Sequence, residues 1–522
     1  MTDTIKNDLK INHSNVSSDF ENSSDSSYVE TPIHSWKGRL WDSWDKPQKE
    51  RWFLFKLDFL LMFIAGSGVF LRYLDQANIN NAFVSGMKED LNLYGNELNY
   101  ANTCWSIGYA IAQIPSNLLL SKLKTPHYYI AFLEIGWSVL TFCSASFNGP
   151  KSMYGIRFLI GVLEAGHFPA VMYIASSWYT KSELSKRISI IQFNTSTGPL
   201  ISAFLQTAAY NGLNGTHGRA GWRWLFIVDG IISLPLAVLV VFLLPDIPRT
   251  QKPNWIFSNK EIELAKKRVP TEVKIHATFR KSDILSWLGT WHVYFFSISF
   301  ILEALSGLPS SSLPFWFKSF NTKTHIEYTV GQINNYSAPL YAIRILATVI
   351  QGYISDDLLK GKRWIIIAFN GIVMFCLGIA LATTLVHPSD RAGRWTLYYL
   401  IGIYANGAQA WTWVNEATMG EPSKRAFVGA VMNAFVYAFT SFVPIFAFPT
   451  QDQPFVKKGN IMSACLALVS VFFAIGGGYI EHLKLRSGFF RSVPLKDIED
   501  DGKIEDSEAS AGDVKKSSEK NI

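Results

Sequence analysis

Hydrophobic residues along this chain fall into long runs, and polar segments separate these runs at regular intervals. Twelve runs carry few charged residues, and they cover 53–75, 97–120, 127–147, 152–178, 188–210, 222–245, 290–316, 332–355, 364–386, 395–415, 426–449 and 459–480. A helix needs about 20 apolar residues to cross the roughly 30 Å hydrocarbon core of a bilayer. Several soluble cores joined by linkers do not account for this even spacing. The pattern therefore predicts an all-α membrane protein with twelve transmembrane helices.

A short motif occurs at the same place in each half of the chain. Glu183-Leu-Ser-Lys-Arg187 returns 238 residues later as Glu421-Pro-Ser-Lys-Arg425, and each copy lies between two apolar runs. The neighbouring runs align at the same offset, so the chain contains an internal repeat. Parallel repeats are found in transporters, where substrate sites lie near the membrane midplane at the repeat interface. We therefore predict two pseudo-symmetric halves of six helices each.

The polar segments divide the chain into five parts. We predict a cytoplasmic N-terminal tail over 1–50, a first half over 51–245, a cytoplasmic linker over 246–288, a second half over 289–482 and a cytoplasmic C-terminal tail over 483–522. Both tails are polar and charged, so we expect them to be disordered. Charged residues of the linker also predict a short amphipathic helix over 256–268, which we expect to be solvated.

The distribution of basic residues predicts the orientation of the chain. The net charge is +7. Basic residues concentrate in the linker and beside the first and last runs, and the positive-inside rule places these segments in the cytoplasm. They form no stripe with aromatic residues outside the runs, so we expect no nucleic-acid partner. In this topology the glycosylation sequon Asn214-Gly-Thr216 is extracellular.

Several other function classes lack their sequence signatures here. The four cysteines lie inside the predicted spans and form no C-x-x-C motif, so we expect no disulfide, no metal site and no cofactor. The sequence shows no nucleophile–base pair and no phosphate-binding loop, so we do not expect an enzyme. A non-transporting nutrient sensor with the same fold stays open as an alternative, although loss of intramembrane charges would favour it and such charges are present.

The turn after the eighth run carries a glycine and charged residues at fixed spacing. It reads Gly352-Tyr-Ile-Ser-Asp356-Asp-Leu-Leu-Lys-Gly-Lys362-Arg363. A carboxylate at a helix end can pair with a basic cluster across a short turn, and such a pair can hold one conformation and release in another. We predict a gating loop formed by Gly352, Asp356, Lys362 and Arg363.

Ionisable residues inside the predicted spans are the strongest candidates for function, because burying a charge in a membrane is costly. Arg157 and Glu164 are seven residues apart in the fourth run, hence on one helical face. Arg157 can anchor a substrate carboxylate or keep Glu164 ionised, and a desolvated Glu164 can accept a proton; alternatively, the two residues form a purely structural pair. Asp75, followed by Gln76, ends the first run and suits either a proton site beside a polar cavity or an interfacial helix end.

Two asparagines and a further set of charges complete the candidates. Asn194 and Asn433 lie at near-equivalent places in the fifth and eleventh runs, where they can hydrogen-bond a substrate or only bridge helices. We interpret His167 as a packed or hydrogen-bonded residue and Asp229 as a packing residue. Further ionisable residues lie in or near the runs, each a weak signal alone: Glu134, Glu303, Arg344 and Glu416.

Longer segments of the chain resemble a known family. The run from Arg157 to Glu183 and the segment Tyr73-Leu-Asp-Gln-Ala-Asn-Ile-Asn-Asn-Ala82 are similar to the anion:cation symporter family of the major facilitator superfamily. Residues 81–98 and Gly221-Trp-Arg-Trp-Leu-Phe-Ile-Val-Asp229 narrow the resemblance to its fungal allantoate permease branch. The likeness covers about residues 36–486 and implies the major facilitator fold.

The resemblance also implies an activity. Members of the family are proton symporters for organic anions, in which positions matching Asp75, Arg157 and Glu164 couple protonation to transport. Many relatives have arginine where this chain has Gln76, so anion binding would fall to Arg157 or Arg344. We therefore expect a monomeric fungal plasma-membrane protein that imports a small organic anion with protons. Pantothenate is the expected substrate, with biotin, nicotinate, allantoate or another ureide, and dipeptides as alternatives.

Overall fold

The computed structural model describes residues 41–123, 125–269, 281–322, 324–418 and 422–487. Helices joined by short turns and loops make up these segments, and the described residues contain no β-strand. Most of each predicted disordered tail lies outside the described residues. The remaining residues form two compact units, one including Ile107–Ala277 and residues up to Leu91, the other including Asn92–Ser106 and residues from Thr278 onward.

The first unit is built mainly from the helices that precede residue 270. In chain order they are α1 (Gln48–Asp58), α2 (Gly66–Ala82), α3 (Glu97–Lys122), α4 (Pro126–Ser144), α5 (Pro150–Glu164), α6 (His167–Trp178), α7 (Lys181–Leu213), α8 (Gly221–Leu243) and α9 (Asn259–Arg268). A π-helical stretch, Phe59–Ala65, joins α1 to α2 without a break. Helix α3 contributes to both units, because its first turns group with the second one.

The second unit continues the same pattern of long helices and short connections. Its helices are α10 (Lys281–Leu288), α11 (Trp291–Ser306), α12 (Leu313–Lys318), α13 (Val330–Tyr353), α14 (Arg363–Thr383), α15 (Ala392–Leu400), α16 (Asn406–Ala417), α17 (Pro422–Ala447) and α18 (Lys457–Ser487). Helices α14 and α18 pack closely, because Gly378 lies against Ala464 and the backbone of Asn460.

Each of the twelve predicted runs coincides with one helix or with two consecutive helices. Among the described residues, seven helical segments are long and apolar enough to cross a membrane: Gln48–Asp90, Pro150–Trp178, Gly221–Leu243, Trp291–Lys318, Arg363–Thr383, Phe427–Ala447 and Lys457–Leu483. The other five runs carry more polar residues within their helices, for example Asn102, Thr103 and Gln113 in α3. The fourth run is interrupted near Ala165 and Gly166, between α5 and α6.

The linker helix α9 is packed against the first unit, so the prediction that it is solvated was wrong. Ile262 and Ala265 are buried, and Phe257 just before the helix stacks on Trp178 with ring centroids 4.9 Å apart. Ser258 caps the helix by accepting a hydrogen bond from the backbone N–H of Glu261. The apolar face is difficult to recognise in the sequence, because only a few apolar residues form it among many charged ones.

A buried ion-pair network holds α9 in place. Arg268 pairs with Glu183 at 2.5 Å and with Glu50 at 2.9 Å, and all three side chains are almost completely buried. Burial alone would raise the pKa of Glu183, but Arg268 and the backbone N–H of Thr180 outweigh it, so this pKa lies below its ordinary value. The first copy of the repeated motif therefore attaches the linker helix to the first unit.

The same motif also contacts the segment that precedes α1. Arg187 pairs with Asp42 at 2.9 Å and with Asp58 at 2.8 Å, and its guanidinium lies over the rings of Trp41 and Tyr179. In the second copy, Glu421 lies outside the described residues.

Candidate functional site

Helix α2 carries a row of polar side chains into the interior of the first unit. Arg72 and Asp75 are 2% and 3% exposed, and Gln76 is partly buried. Residues three and four apart lie on one face of a helix, so these side chains point the same way. The face is charged although the helix is embedded in an apolar core, and such an arrangement is costly unless the charges are paired.

Glu164 at the end of α5 receives two of these side chains. Arg72 Nε and Gln76 Nε2 each lie 3.1 Å from Glu164 Oε2, and Glu164 is completely buried. The Arg72 guanidinium also lies 4.6 Å from the ring centroid of Tyr109, which favours the cation by its π electrons. The predicted site residues Gln76 and Glu164 are therefore in direct contact.

Sequence reasoning missed Arg72, although a signal for it was present. Arg72 is four residues before Gln76, hence one turn away on the same face. Arg157, which we predicted as the cation beside Glu164, is 4% exposed on α5 and interacts electrostatically with both Glu164 and Asp75. The cation in direct contact with Glu164 is Arg72.

Asp75 belongs to a second cluster that also contains Asp229 of α8. Thr141 Oγ1 donates to Asp75 Oδ2 at 3.0 Å, and Asn78 Nδ2 donates to Asp229 Oδ2. Asp75 and Asp229 also interact electrostatically. Asp229, which we interpreted as a packing residue, is therefore a partner of Asp75.

A chain of neutral polar groups supports this acidic pair. Ser202 of α7 donates to Asn78 Oδ1 at 2.6 Å, and Asn81 Nδ2 donates to Ser202 Oγ at 2.7 Å. These bonds fix Asn78, which in turn holds Asp229. The other predicted polar residue of α7, Asn194, is partly buried and faces the backbone of α2 at Gly66. Asn194 is not part of the acidic cluster in the contacts described.

The second unit holds the remaining predicted substrate residues. Arg344 of α13 is partly buried and interacts electrostatically with Glu303 of α11 and with Tyr341. Glu303 lines a small pocket together with Ser299 and Asn406. Asn433 is partly buried on α17.

The predicted gating loop is only partly visible. Arg363 is buried and pairs with Glu416 of α16 at 2.8 Å, and it also donates to Ser355 at 3.0 Å. A Cβ atom at Gly352 would meet no described atom within 4 Å, and Lys362 is exposed. The side chain of Asp356 lies outside the described part of the chain. The contact that the structure shows therefore joins the loop to α16.

The first unit contains buried carboxyl groups, which can exchange a proton, and buried guanidinium groups, which can bind an anion. Asp75 accepts a hydrogen bond from Thr141 and interacts electrostatically with Asp229, while Glu164 accepts hydrogen bonds from a guanidinium and an amide. Within the described residues, no group of three or more His, Cys, Asp or Glu side chains could hold a metal ion.

Comparison with curated proteins shows close relatives among fungal transporters. The chain is 31% identical to the pantothenate transporter liz1 of Schizosaccharomyces pombe, over 79% of each chain. It is 29% identical to the pantothenate transporter FEN2 of Saccharomyces cerevisiae, over 86% of this chain and 85% of that one. It is also 29% identical to the vitamin H transporter of Saccharomyces cerevisiae, over 79% of this chain and 70% of that one.

Comparison with solved structures shows the same fold. The proton:xylose symporter XylE bound to 6-bromo-6-deoxy-D-glucose aligns with a TM-score of 0.60 at 16% identity, over 80% of this chain and 94% of that one. A bacterial homologue of the human lysosomal transporter Spinster aligns with a TM-score of 0.56 at 14% identity, over 82% and 97%. The model of the Major Facilitator Superfamily matches residues 65–444. The chain belongs to the major facilitator superfamily and is a multi-pass membrane transporter.

Proposed function

We propose that this protein is a proton-coupled symporter that imports a small organic anion, with pantothenate as its substrate. The observation that carries the proposal is the buried charge cluster of the first unit, in which Arg72, Asp75, Arg157 and Glu164 interact. Because charges are costly to bury in a membrane, a cluster of this kind supports a role in transport. The similarity to two proteins named pantothenate transporters supports the substrate.

Proton coupling is the first part of the proposal. Asp75 and Glu164 are buried carboxyl groups that interact electrostatically, and Arg157 interacts with both. A proton gained by either carboxyl group removes a negative charge and leaves the guanidinium groups free to interact with an anion. Protonation and anion binding therefore support each other, which is the condition for symport.

The anion site is the second part of the proposal. A guanidinium binds a carboxylate through two parallel hydrogen bonds, and Arg157 and Arg344 are the cations we assign to this role. Gln76, Asn194 and Asn433 supply neutral donors and acceptors for the remaining polar groups of the substrate. Biotin is the alternative that a specific observation favours, because one relative is named a vitamin H transporter.

Transport then follows from a change in the charge network. Protonation of Asp75 or Glu164 relaxes the interactions around Arg157, and the carrier switches between outward and inward access. The loaded and the empty carrier switch readily, whereas the half-loaded carrier does not, because its charges are unbalanced. The gating loop at Arg363 releases and re-forms its pair with Glu416 during this cycle.

The remaining elements of the proposal concern location and assembly. We place the protein as a monomer in the plasma membrane, with both termini in the cytoplasm and with its halves at 51–245 and 289–482. The basic linker and the basic flanks of the first and last helices support this orientation. Nicotinate, ureides and dipeptides remain alternative substrates for the test.

Uptake into a yeast strain that lacks its own vitamin transporters tests the proposal. The strain expresses the full chain, and labelled pantothenate, biotin, nicotinate, allantoate and a dipeptide are supplied at acidic and neutral external pH. We expect accumulation of pantothenate that is stronger at acidic pH and that Asp75→Asn and Glu164→Gln both abolish. Glu263→Gln, an exposed linker residue, is the matched control. Undiminished accumulation in both variants would contradict the proton assignment, and accumulation of another compound would change the substrate.

A further inference from the structure

A second buried acid–base pair lies in the first unit, outside the cluster described above. Glu134 of α4 and His167 of α6 are both completely buried, with His167 Nε2 only 2.7 Å from Glu134 Oε1. The ring of Trp137 packs edge-on against the imidazole, with centroids 5.0 Å apart. The pair is thus enclosed in an apolar setting, where an ionised group is costly.

Helix α2 lies directly over this pair. A Cβ atom at Gly68 would collide with Glu134 and with the His167 ring, so only glycine allows the backbone of α2 to approach so closely. Gly68, Arg72 and Asp75 are spaced by four and three residues, hence on one face of α2. The helix that carries the proposed proton site therefore also covers the Glu134–His167 pair.

Helix α4 connects the same two places. Glu134, Ser138 and Thr141 are spaced by four and three residues and follow one face of α4, over a rise of about 10 Å. Thr141 donates to Asp75 at one end of this row, and Glu134 binds His167 at the other. Ser138 Oγ, between them, is buried and has no hydrogen-bond partner among the described residues. All three positions of this row are polar although they lie in the core.

We propose that Glu134 and His167 form a second proton-binding site, which exchanges protons with Asp75 along the row of α4 during transport. This inference rests on the proposed proton symport. Binding one proton converts the pair from a neutral imidazole beside a carboxylate, with net charge −1, into a neutral pair. The proton then lies on the imidazole or on the carboxyl group, and it leaves again when the pair returns to its charged form.

Other charged groups of the first unit define the surroundings of this site. His167 is the group in direct contact with Glu134. Further buried charged groups in the helices of this unit are Arg72 and Asp75 on α2, Arg157 and Glu164 on α5, Asp229 on α8, and Glu50, Glu183, Arg187 and Arg268 on α1, α7 and α9. Glu164, the other proposed proton site, ends α5 only three residues before His167. The Glu134–His167 pair therefore lies beside the end of α5.

The proposal differs from a purely structural pair in what a neutral substitution does. Glu134→Gln keeps the size of the side chain and a hydrogen bond to His167 but cannot hold the proton, and His167→Gln removes the base. If the pair only stabilises the packing of α2, α4 and α6, its loss should reduce net uptake and exchange equally. A proton site affects net, gradient-driven uptake more than exchange, because exchange needs no net proton movement.

The test uses the full chain in liposomes that contain a pH-sensitive dye, with labelled pantothenate as the probe. Net uptake driven by a pH gradient and exchange at equal pH are measured for Glu134→Gln and His167→Gln, and thermal stability is recorded for both. The matched controls are Glu263→Gln and His217→Gln, both in exposed segments. We expect gradient-driven uptake to fall by about tenfold or more in either pair variant, with a clearly smaller loss of exchange.

Each outcome decides the proposal. Equal losses of uptake and exchange, or no loss in a stable Glu134→Gln protein, would overturn it. If His167→Gln is unstable, Glu134→Gln alone decides. A wild-type protein that takes up pantothenate without moving protons would instead refute the proposed symport, whereas wild-type proton movement that only Asp75→Asn and Glu164→Gln abolish would refute this inference alone.

Discussion

At the scale of single residues, one oxygen atom of Glu164 accepts hydrogen bonds from two side chains of α2. Arg72 and Gln76 donate to this same oxygen from successive turns of α2, each at 3.1 Å. Because both donors start from one helical face, the guanidinium and the amide can in principle exchange places without changing the partner. The charge beside Glu164 is therefore a property of the α2 face and is not restricted to one position.

This geometry predicts a rescue by relocation. Arg72→Gln should lower accumulation of substrate by roughly 10- to 100-fold, because a charge-assisted hydrogen bond is worth about 1.5–3 kcal/mol. Adding Gln76→Arg should restore part of the loss, since it returns a guanidinium to the same oxygen. Labelled uptake with surface expression measured for each variant checks this, and Gln76→Arg alone is the control. Wild-type uptake in Arg72→Gln would show that this charge is dispensable.

The proposed anion site gives a second prediction at this scale. Arg157→Lys keeps the charge but replaces a forked group with a compact one, so apparent affinity for the anion should fall by roughly 30- to 150-fold, equivalent to about 2–3 kcal/mol. Arg344→Lys in the second unit is the comparison. Unchanged affinity in Arg157→Lys together with a loss in Arg344→Lys would move the anchor to Arg344.

Residue types and spacing predicted part of this site. They singled out Asp75, Arg157 and Glu164, because charges in apolar runs are conspicuous in a sequence. They did not reveal that Arg72 contacts Glu164 or that Asp229 contacts Asp75, since both contacts join different helices. Which helices are neighbours depends on tertiary packing, and a single sequence does not contain that information directly.

At the scale of helices, the approach of α7 to α2 depends on Gly198. A Cβ atom there would come within 2.7 Å of the backbone N of Leu74 and within 2.8 Å of the carbonyl O of Phe70. Backbone atoms cannot move aside as a flexible side chain can. The helix that carries Arg72 and Asp75 is thus positioned by the absence of a side chain on its neighbour.

Gly198→Ala should therefore destabilise the protein by about 1–3 kcal/mol through overpacking and should also reduce transport. Gly212→Ala is a matched control in the same helix, because a Cβ atom there meets nothing within 4 Å. Alanine is the better helix former by up to about 1 kcal/mol, so this variant should be neutral or slightly more stable. Apparent melting temperatures of the two purified variants check the prediction, and equal temperatures would contradict it.

The linker helix gives a prediction that involves pH. Arg268→Gln leaves Glu50 and Glu183 without their guanidinium partner, which should weaken the docking of α9 by about 3–5 kcal/mol. Hydrogen exchange of residues 259–268 should become faster, whereas Lys266→Gln, at an exposed pair, should have little effect. Unchanged protection in Arg268→Gln would mean that apolar contacts alone hold the helix.

The sign of the pH effect follows from Glu183. Its folded-state pKa is below the ordinary value of 4.5, so its contribution to docking is complete above that value and is lost as the pH falls through the folded-state pKa. Protection of α9, corrected for intrinsic exchange rates, should therefore be constant near neutrality and decrease below about pH 4.5. Loss of protection already near neutral pH would contradict this assignment.

At the scale of the whole molecule, the sequence predicted the all-helical fold and the location of its helices closely. Long apolar runs define helices because hydrocarbon leaves few alternatives for the backbone. The docking of α9 could not be predicted in the same way. It depends on contacts between distant segments, such as Arg268 with Glu50.

Orientation is the property of the whole chain that one modification can test. Asn214 lies in an exposed turn, but its Oδ1 accepts a hydrogen bond from the backbone N–H of Gly221 at 2.8 Å, so replacing it changes the turn. Thr216→Ala removes the sequon and leaves this bond intact. Any N-linked glycan on the expressed protein should disappear in Thr216→Ala, as judged by its mobility before and after deglycosylation. A glycan that persists would place a different segment outside the cell.

Among the residues that the structure describes, five of the twelve helical regions contain no helix that is both long and apolar enough to span a membrane by itself. Such a segment gains little free energy by leaving the insertion machinery and entering lipid alone. We therefore expect that, during synthesis, helices such as α3 and α7 enter the membrane together with more apolar helices, against which their polar groups become hydrogen-bonded. The same polar side chains thus make assembly in the membrane a cooperative process, in which α7 inserts by packing against α2.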